Sequence, residues 1–220
     1  MTNHLKACWT AHASSKRGKA APRWFHLVVE GRHAPGYWLH LQAPANATLG
    51  DLDSVLRRVW LECCGHLSAF EFPAKRAPRL PSDPLIDAWF KALSPHAMAE
   101  DDDAIMEERL GDRLQTGLTF FHEYDFGSTT HLALRVAGEY AAPALKGRIK
   151  LLARNDAPGF PCSVCGKPAT QLCQQCLDQG SCDFCDVCAR KHACGEEMFL
   201  PLVNSPRVGV CGYSGPSIEP

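Results

Sequence analysis

Four cysteines stand in two pairs in CSVCGKPATQLCQQC, residues 162–176, and a third pair follows at Cys185 and Cys188. Each pair leaves two residues between its thiols, the spacing that turns two sulfurs toward one ion. His192 and Cys194 can supply a fourth pair. Zinc takes four soft or borderline ligands in a tetrahedron, so eight ligands make two sites. Only seven residues separate the first pair from the second, which argues that these two do not share an ion. A cross-braced order follows. Cys162, Cys165, Cys185 and Cys188 are expected to hold one zinc, and Cys173, Cys176, His192 and Cys194 the other. Only one residue separates His192 from Cys194, so Cys182 or Cys211 is an alternative last ligand. Such sites, closed by four protein ligands, stabilise a fold rather than activate water.

Disulfides and redox couples are the competing uses of these thiols. Of twelve cysteines, nine lie after residue 157. Disulfide frameworks belong to small exported domains, and the first residues, MTNHLKACWTAHASSKRGKAAPR, lack the apolar stretch of a secretory signal. No apolar run reaches the roughly 20 residues that cross a bilayer. The expectation is a cytoplasmic protein without a membrane. Its net charge of −1 argues against wholesale binding of a polyanion.

The segments ahead of the cysteines must position whatever else the chain does. Residues 1–22 read as a basic arm. WFHLVVE and GYWLHLQA, with turn residues between them, read as a β-hairpin in which Tyr37, Leu39 and Leu41 share one face and His40 and Gln42 the other. Thr48 and Asp51 can form a capping box. Leu49, Leu52, Val55, Leu56 and Val59 then make an apolar stripe on a helix that should stop near Gly65. HLSAFEF reads as a strand, and SDPLIDAWFKAL as a short helix. LTFFHEYDFGSTTHLALRVAGEY reads as two strands about a Gly-Ser turn, and ALKGRIKLLARND as one more, with basic residues at 146, 148, 150 and 154. NDAPGFP is a boundary. The fold class expected is α+β: a β-grasp-like mixed sheet with packed helices over 23–157, plus a zinc-binding module over 158–220.

YWLHLQAPANATLGDLDSVLRRVW, CGHLSAFEF and YDFGSTTHLAL together resemble the plasmid-borne pRiA open-reading-frame-three-like family, also labelled insertion-element passenger proteins. The likeness spans residues 24–153, and LPLVNSPRVGVCGYSG resembles the ending of members with a cysteine-rich tail. The interleaved order of the cysteine pairs over 162–194 resembles that of B-box and MYND-type zinc modules. The resemblance implies an α+β fold, no assigned activity and a link to mobile elements. Many members continue from YDFG with Asp, then Trp and His. Here Ser128, Thr130 and Leu132 hold those places and His131 comes one position early.

Two functional readings arise. The first is a zinc-containing interaction protein that binds a protein or nucleic-acid partner. The second is an enzyme using His122, Asp125 and His131 in a cleft of the first domain. His66, Glu71 and Glu123 are further polar residues on or beside those strands. Asp125, ahead of Phe126-Gly127, is expected first to accept backbone hydrogen bonds at that turn. Of Cys63 and Cys64, one is expected in the core, the other without a task.

Overall fold

The structure is a computed structural model that describes residues 22–73, 102–141, 148–180 and 182–216. The basic arm, the helix expected at 82–93, the start of the acidic segment and Lys146 lie outside the described residues.

Strands β1 (Arg23–Gly31) and β2 (Ala34–Pro44) form the expected hairpin, joined by Arg32 and His33 alone. Leu27 faces Leu41 and Val29 faces Leu39, and these residues enter the main core with Phe25 and Tyr37. The other face of the hairpin is buried as well. His26 Nε2 and His40 Nδ1 lie 2.7 Å apart there, a polar pairing that lets imidazoles stand where the alternation suggested exposure. Helix α1 (Leu49–Leu56) opens on the capping box: Thr48 Oγ1 accepts from the Asp51 amide, and the Asp51 carboxylate accepts from the Thr48 amide. Its apolar stripe is buried, Val59 included. The helix continues into a π-helical turn over Arg57–Leu61, which seats Trp60 and Leu61 in the core. Gly65, at φ 72°, then redirects the chain toward β3 (Ser68–Glu71).

Short helices α2 (Asp102–Met106) and α3 (Leu110–Arg113) precede β4 (Thr119–Tyr124), β5 (Thr130–Ala141) and β6 (Lys150–Arg154). The sheet order is β3-β4-β5-β1-β2-β6. The α+β class is as expected, but the sheet is not mixed: its five described pairings are all antiparallel. The reason lies in the connections. Two of the pairings, β1–β2 and β4–β5, are hairpins closed by short connections, which are antiparallel by construction. A parallel neighbour would have needed a longer crossover.

The C-terminal part has its own sheet, β8-β7-β9, from β7 (Gln171–Cys173), β8 (Asp183–Phe184) and β9 (Phe199–Pro201). A 3-10 turn (Gln174–Gln179) follows β7, and helix α4 (Asp186–Ala189) follows β8. Its buried cluster is small: Cys173, Cys176, Phe184 and Ala189. The chain then returns to the larger sheet. Ser205 Oγ donates to the Trp60 carbonyl at 2.7 Å, Asn204 bonds Asn155, and Val208 packs on the main core. Residues 204–213 therefore dock on the first domain although the sequence groups them with the cysteine-rich module.

Candidate metal centres

The C-terminal sheet gathers the cysteine pairs into two interleaved groups. Cys162, Cys165, Cys185 and Cys188 form one; Cys173, Cys176, His192 and Cys194 form the other. In the first group, the turn after Cys162 is closed by the Gly166 amide donating to the Cys162 carbonyl, with Gly166 at φ 71°. Cys185 precedes α4, and the amides of Cys188 and Ala189 donate to its carbonyl. The Ser163 amide donates to the Asp183 carbonyl and ties the two turns together. In the second group, Cys173 ends β7 and Cys176 sits in the 3-10 turn. His192 packs between Phe184 and Phe199, its ring centroid 4.4 and 5.6 Å from theirs.

Distances separate the uses of sulfur. A disulfide needs about 2.05 Å between sulfurs, whereas zinc–ligand lengths of about 2.3 Å (S) and 2.1 Å (N) imply tetrahedral edges of about 3.8 Å (S–S) and 3.6 Å (S–N). Cys165 Sγ lies 3.6 Å from Cys185 Sγ. Cys176 Sγ lies 3.8 Å from Cys194 Sγ and 3.3 Å from His192 Nε2. Every described cysteine is free of a disulfide. Cys182 joins neither group; its sulfur lies 3.8 Å from Asp183 Oδ1.

The thiols are poised unevenly. Backbone amides, that of Cys185 foremost, pull the Cys162 thiol down to about 6 against the effect of burial. The Cys188 amide lowers Cys185 in the same way. Burial, and then neighbouring thiols, push Cys176 up to about 11 and Cys188 up to about 12. N–H groups aimed at sulfur favour thiolate, and crowded thiolates repel until a cation joins them. Both are properties of a metal-binding turn.

A third group was not anticipated: Cys63, Cys64, His66 and Cys211, with ligand atoms all within 4.8 Å of one another. His66 Nε2 and Cys211 Sγ are 3.3 Å apart. The first three residues follow the π-helical turn, and Cys211 arrives on the returning segment. The close run Cys63-Cys64-x-His66 was the available signal. Its fourth member lies 145 residues beyond His66.

His122, Asp125 and His131 do not converge, although Asp125 Oδ2 lies 3.7 Å from His66 Nε2. His122 is fully buried, 2.7 Å from Asp53 on α1. Asp53 also accepts from Ser68 Oγ at 2.7 Å. Burial raises the Asp53 pKa, but hydrogen bonds from His122 and Ser68 and the charges of His122 and Arg57 outweigh it and hold the carboxyl below its ordinary value. His131 lies on the opposite face of the sheet, 3.1 Å from Glu123, and Glu71 is exposed. Asp125 fulfils its turn role: Oδ1 accepts from the amides of Gly127 and Ser128. Oδ2 accepts from Arg207 at 2.7 Å, and that bond first, with the two amides, holds the carboxyl down at about 2. Arg207, unremarked in the sequence, is fully buried. It also donates to Thr130 Oγ1, the Ser128 carbonyl and Cys63 Sγ.

No family model matches the chain, and no curated protein matches it. A solved structure similar to it is that of MM3350 from Methanosarcina mazei Go1, a protein of unknown function. It is 17% identical, with a TM-score of 0.45 over 61% of this chain and 70% of that one.

Among the described residues no helix is long and apolar enough to cross a membrane.

Proposed function

We propose that this protein is a zinc-containing interaction protein of the cytoplasm. Two structural zinc ions organise residues 162–194 and present a rigid surface to a protein partner. The supporting observation is the closure of two interleaved groups, each with four ligand atoms within 4.8 Å of one another, with sulfur–sulfur separations of 3.6 Å in the first and 3.8 Å in the second. With only four residues in its buried cluster, the module is too small to be held by apolar burial alone, and metal binding supplies the difference. Zinc suits thiolates with a single imidazole and needs no redox partner. Eleven unpaired described cysteines accord with a reducing compartment.

A protein partner is favoured over nucleic acid by two exposed valines. Val164 and Val187 each lie between the cysteines of a pair in the first group, and they are 69% and 54% exposed. Apolar side chains held outward by a rigid turn suit a protein surface. Among the described basic residues of 148–154, Arg154 is engaged within the chain, donating to the Asn204 carbonyl. The resemblance to insertion-element passenger proteins keeps nucleic acid as the second reading.

The test is capture from native lysate with nucleic acid retained, comparing the wild type with a V164D/V187D variant at two salt concentrations. A protein captured by the wild type, lost by the variant and indifferent to salt supports the reading. Retained nucleic acid that leaves steeply with salt, equally in both proteins, supports the alternative.

A further inference from the structure

We propose a third zinc site, formed by Cys63, Cys64, His66 and Cys211, which clasps the returning C-terminal segment to the corner between α1 and β3. The inference does not depend on the two sites of the module. It uses none of the module's ligands, although the returning segment also meets the module where Gln174 Nε2 donates to the Gly209 carbonyl.

Three observations carry it. The first is composition and distance: three thiols and an imidazole have their ligand atoms within 4.8 Å of one another, with 3.3 Å between His66 Nε2 and Cys211 Sγ. That distance is close to the S–N edge of about 3.6 Å expected around zinc.

The second is charge. Three thiolates, a neutral imidazole and Zn²⁺ carry a net charge of −1. The guanidinium of Arg207 donates to Cys63 Sγ at 3.4 Å from a fully buried position. A guanidinium N–H aimed at a ligand sulfur favours the thiolate form that binds the ion, while the cation's charge is shared with the Asp125 carboxylate. Arg207 also pairs with Asp125, and the Asp125 amide donates to the Leu67 carbonyl beside His66. The YDFG turn thereby supports the site.

The third is backbone. Cys211 has φ 51°, between Gly209 at 79° and Gly212 at 68°. A left-handed position favours glycine, yet here a cysteine occupies it with its sulfur aimed at His66. The side chain is retained against a conformational cost, as expected of a ligand.

This site differs from those of the module in exposure. Cys64 and Cys211 are exposed, so the ion lies at the surface and should be the first to leave to a chelator.

The experiment is zinc analysis of the full chain, refolded or purified with zinc as the sole added metal, with cobalt(II) substitution as a second readout. The expected result is three zincs in the wild type, and two in both Cys211→Gly and Cys64→Ser. Cys211→Gly relieves the left-handed backbone, so loss of one ion there cannot be ascribed to misfolding. In cobalt-loaded protein the same variants should lose the absorbance of one three-sulfur, one-nitrogen centre. Two zincs in the wild type and two in both variants would overturn this proposal while leaving the module sites standing. One zinc in the wild type, retained in Cys211→Gly, would count against both proposals. An intact mass showing a disulfide between Cys64 and Cys211 in reduced-lysate protein would also overturn it.

Discussion

At the scale of single residues, buried charge decides most. Arg207 and Asp125 form a pair in which the guanidinium is fully buried, with further bonds to Thr130, Ser128 and Cys63. Asp125→Ala would leave that cation without its carboxylate, a loss of about 3–5 kcal/mol by the usual cost of orphaning a buried charge. Urea denaturation of the zinc-loaded protein should show it as a lowered midpoint with an unchanged slope. A change under 1 kcal/mol, by the same scale, would mean that the turn amides rather than Arg207 set the worth of Asp125. Asp53 gives a pH dependence. Its carboxyl is held below the ordinary 3.8 in the folded chain by His122, Ser68 and Arg57. A depressed folded value means the stabilisation is complete above the unfolded value and is lost as pH falls through the folded one. Asp53→Asn should therefore remove part of the stability at neutral pH and flatten its fall below about pH 4. An unchanged acid limb in pH-jump unfolding would refute this.

At the scale of elements, local rules were legible where burial and capping agree. The Thr48–Asp51 capping box and the stripe from Leu49 to Val59 could be read directly, since a helix start and a 3.6-residue period leave marks in sequence. Thr48→Ala should cost about 1 kcal/mol, measurable by thermal melting. The strands were legible through alternation, but their pairing partners were not. Nothing in WFHLVVE says that its second neighbour is β5, because register and order depend on which hairpins form first in space. The burial of His26 and His40 was invisible for the same reason: one ring nitrogen of each pairs with the other across facing strands. The grouping of eight cysteine-region side chains into two fours followed from short spacings. The third group spans 145 residues from His66 to Cys211 and needed the fold.

At the scale of the whole molecule, the returning segment makes the two parts interdependent in an uneven way. Residues 204–213 lie on the first domain through Ser205, Arg207 and Val208, and Tyr213 is buried. Gly31 shows how close the approach is. A Cβ there would stand 3.0 Å from Pro206 Cβ and 2.8 Å from the Ala34 carbonyl oxygen. The module between residues 162 and 201 is anchored at Asn155–Asn204, where it leaves and returns, and again where Gln174 Nε2 donates to the Gly209 carbonyl at 3.4 Å. Cys185→Ser removes a ligand from the first group but no anchor. Hydrogen exchange should accordingly show lost protection across 162–201 while β1, β5 and residues 204–213 keep theirs. The anchoring bounds the damage, because a loosened loop costs only closure entropy, which grows slowly with length. Were protection lost through 204–213 as well, the returning segment would depend on the module's metal, and the Trp60, Asp125 and Gly31 contacts would be too weak to hold it.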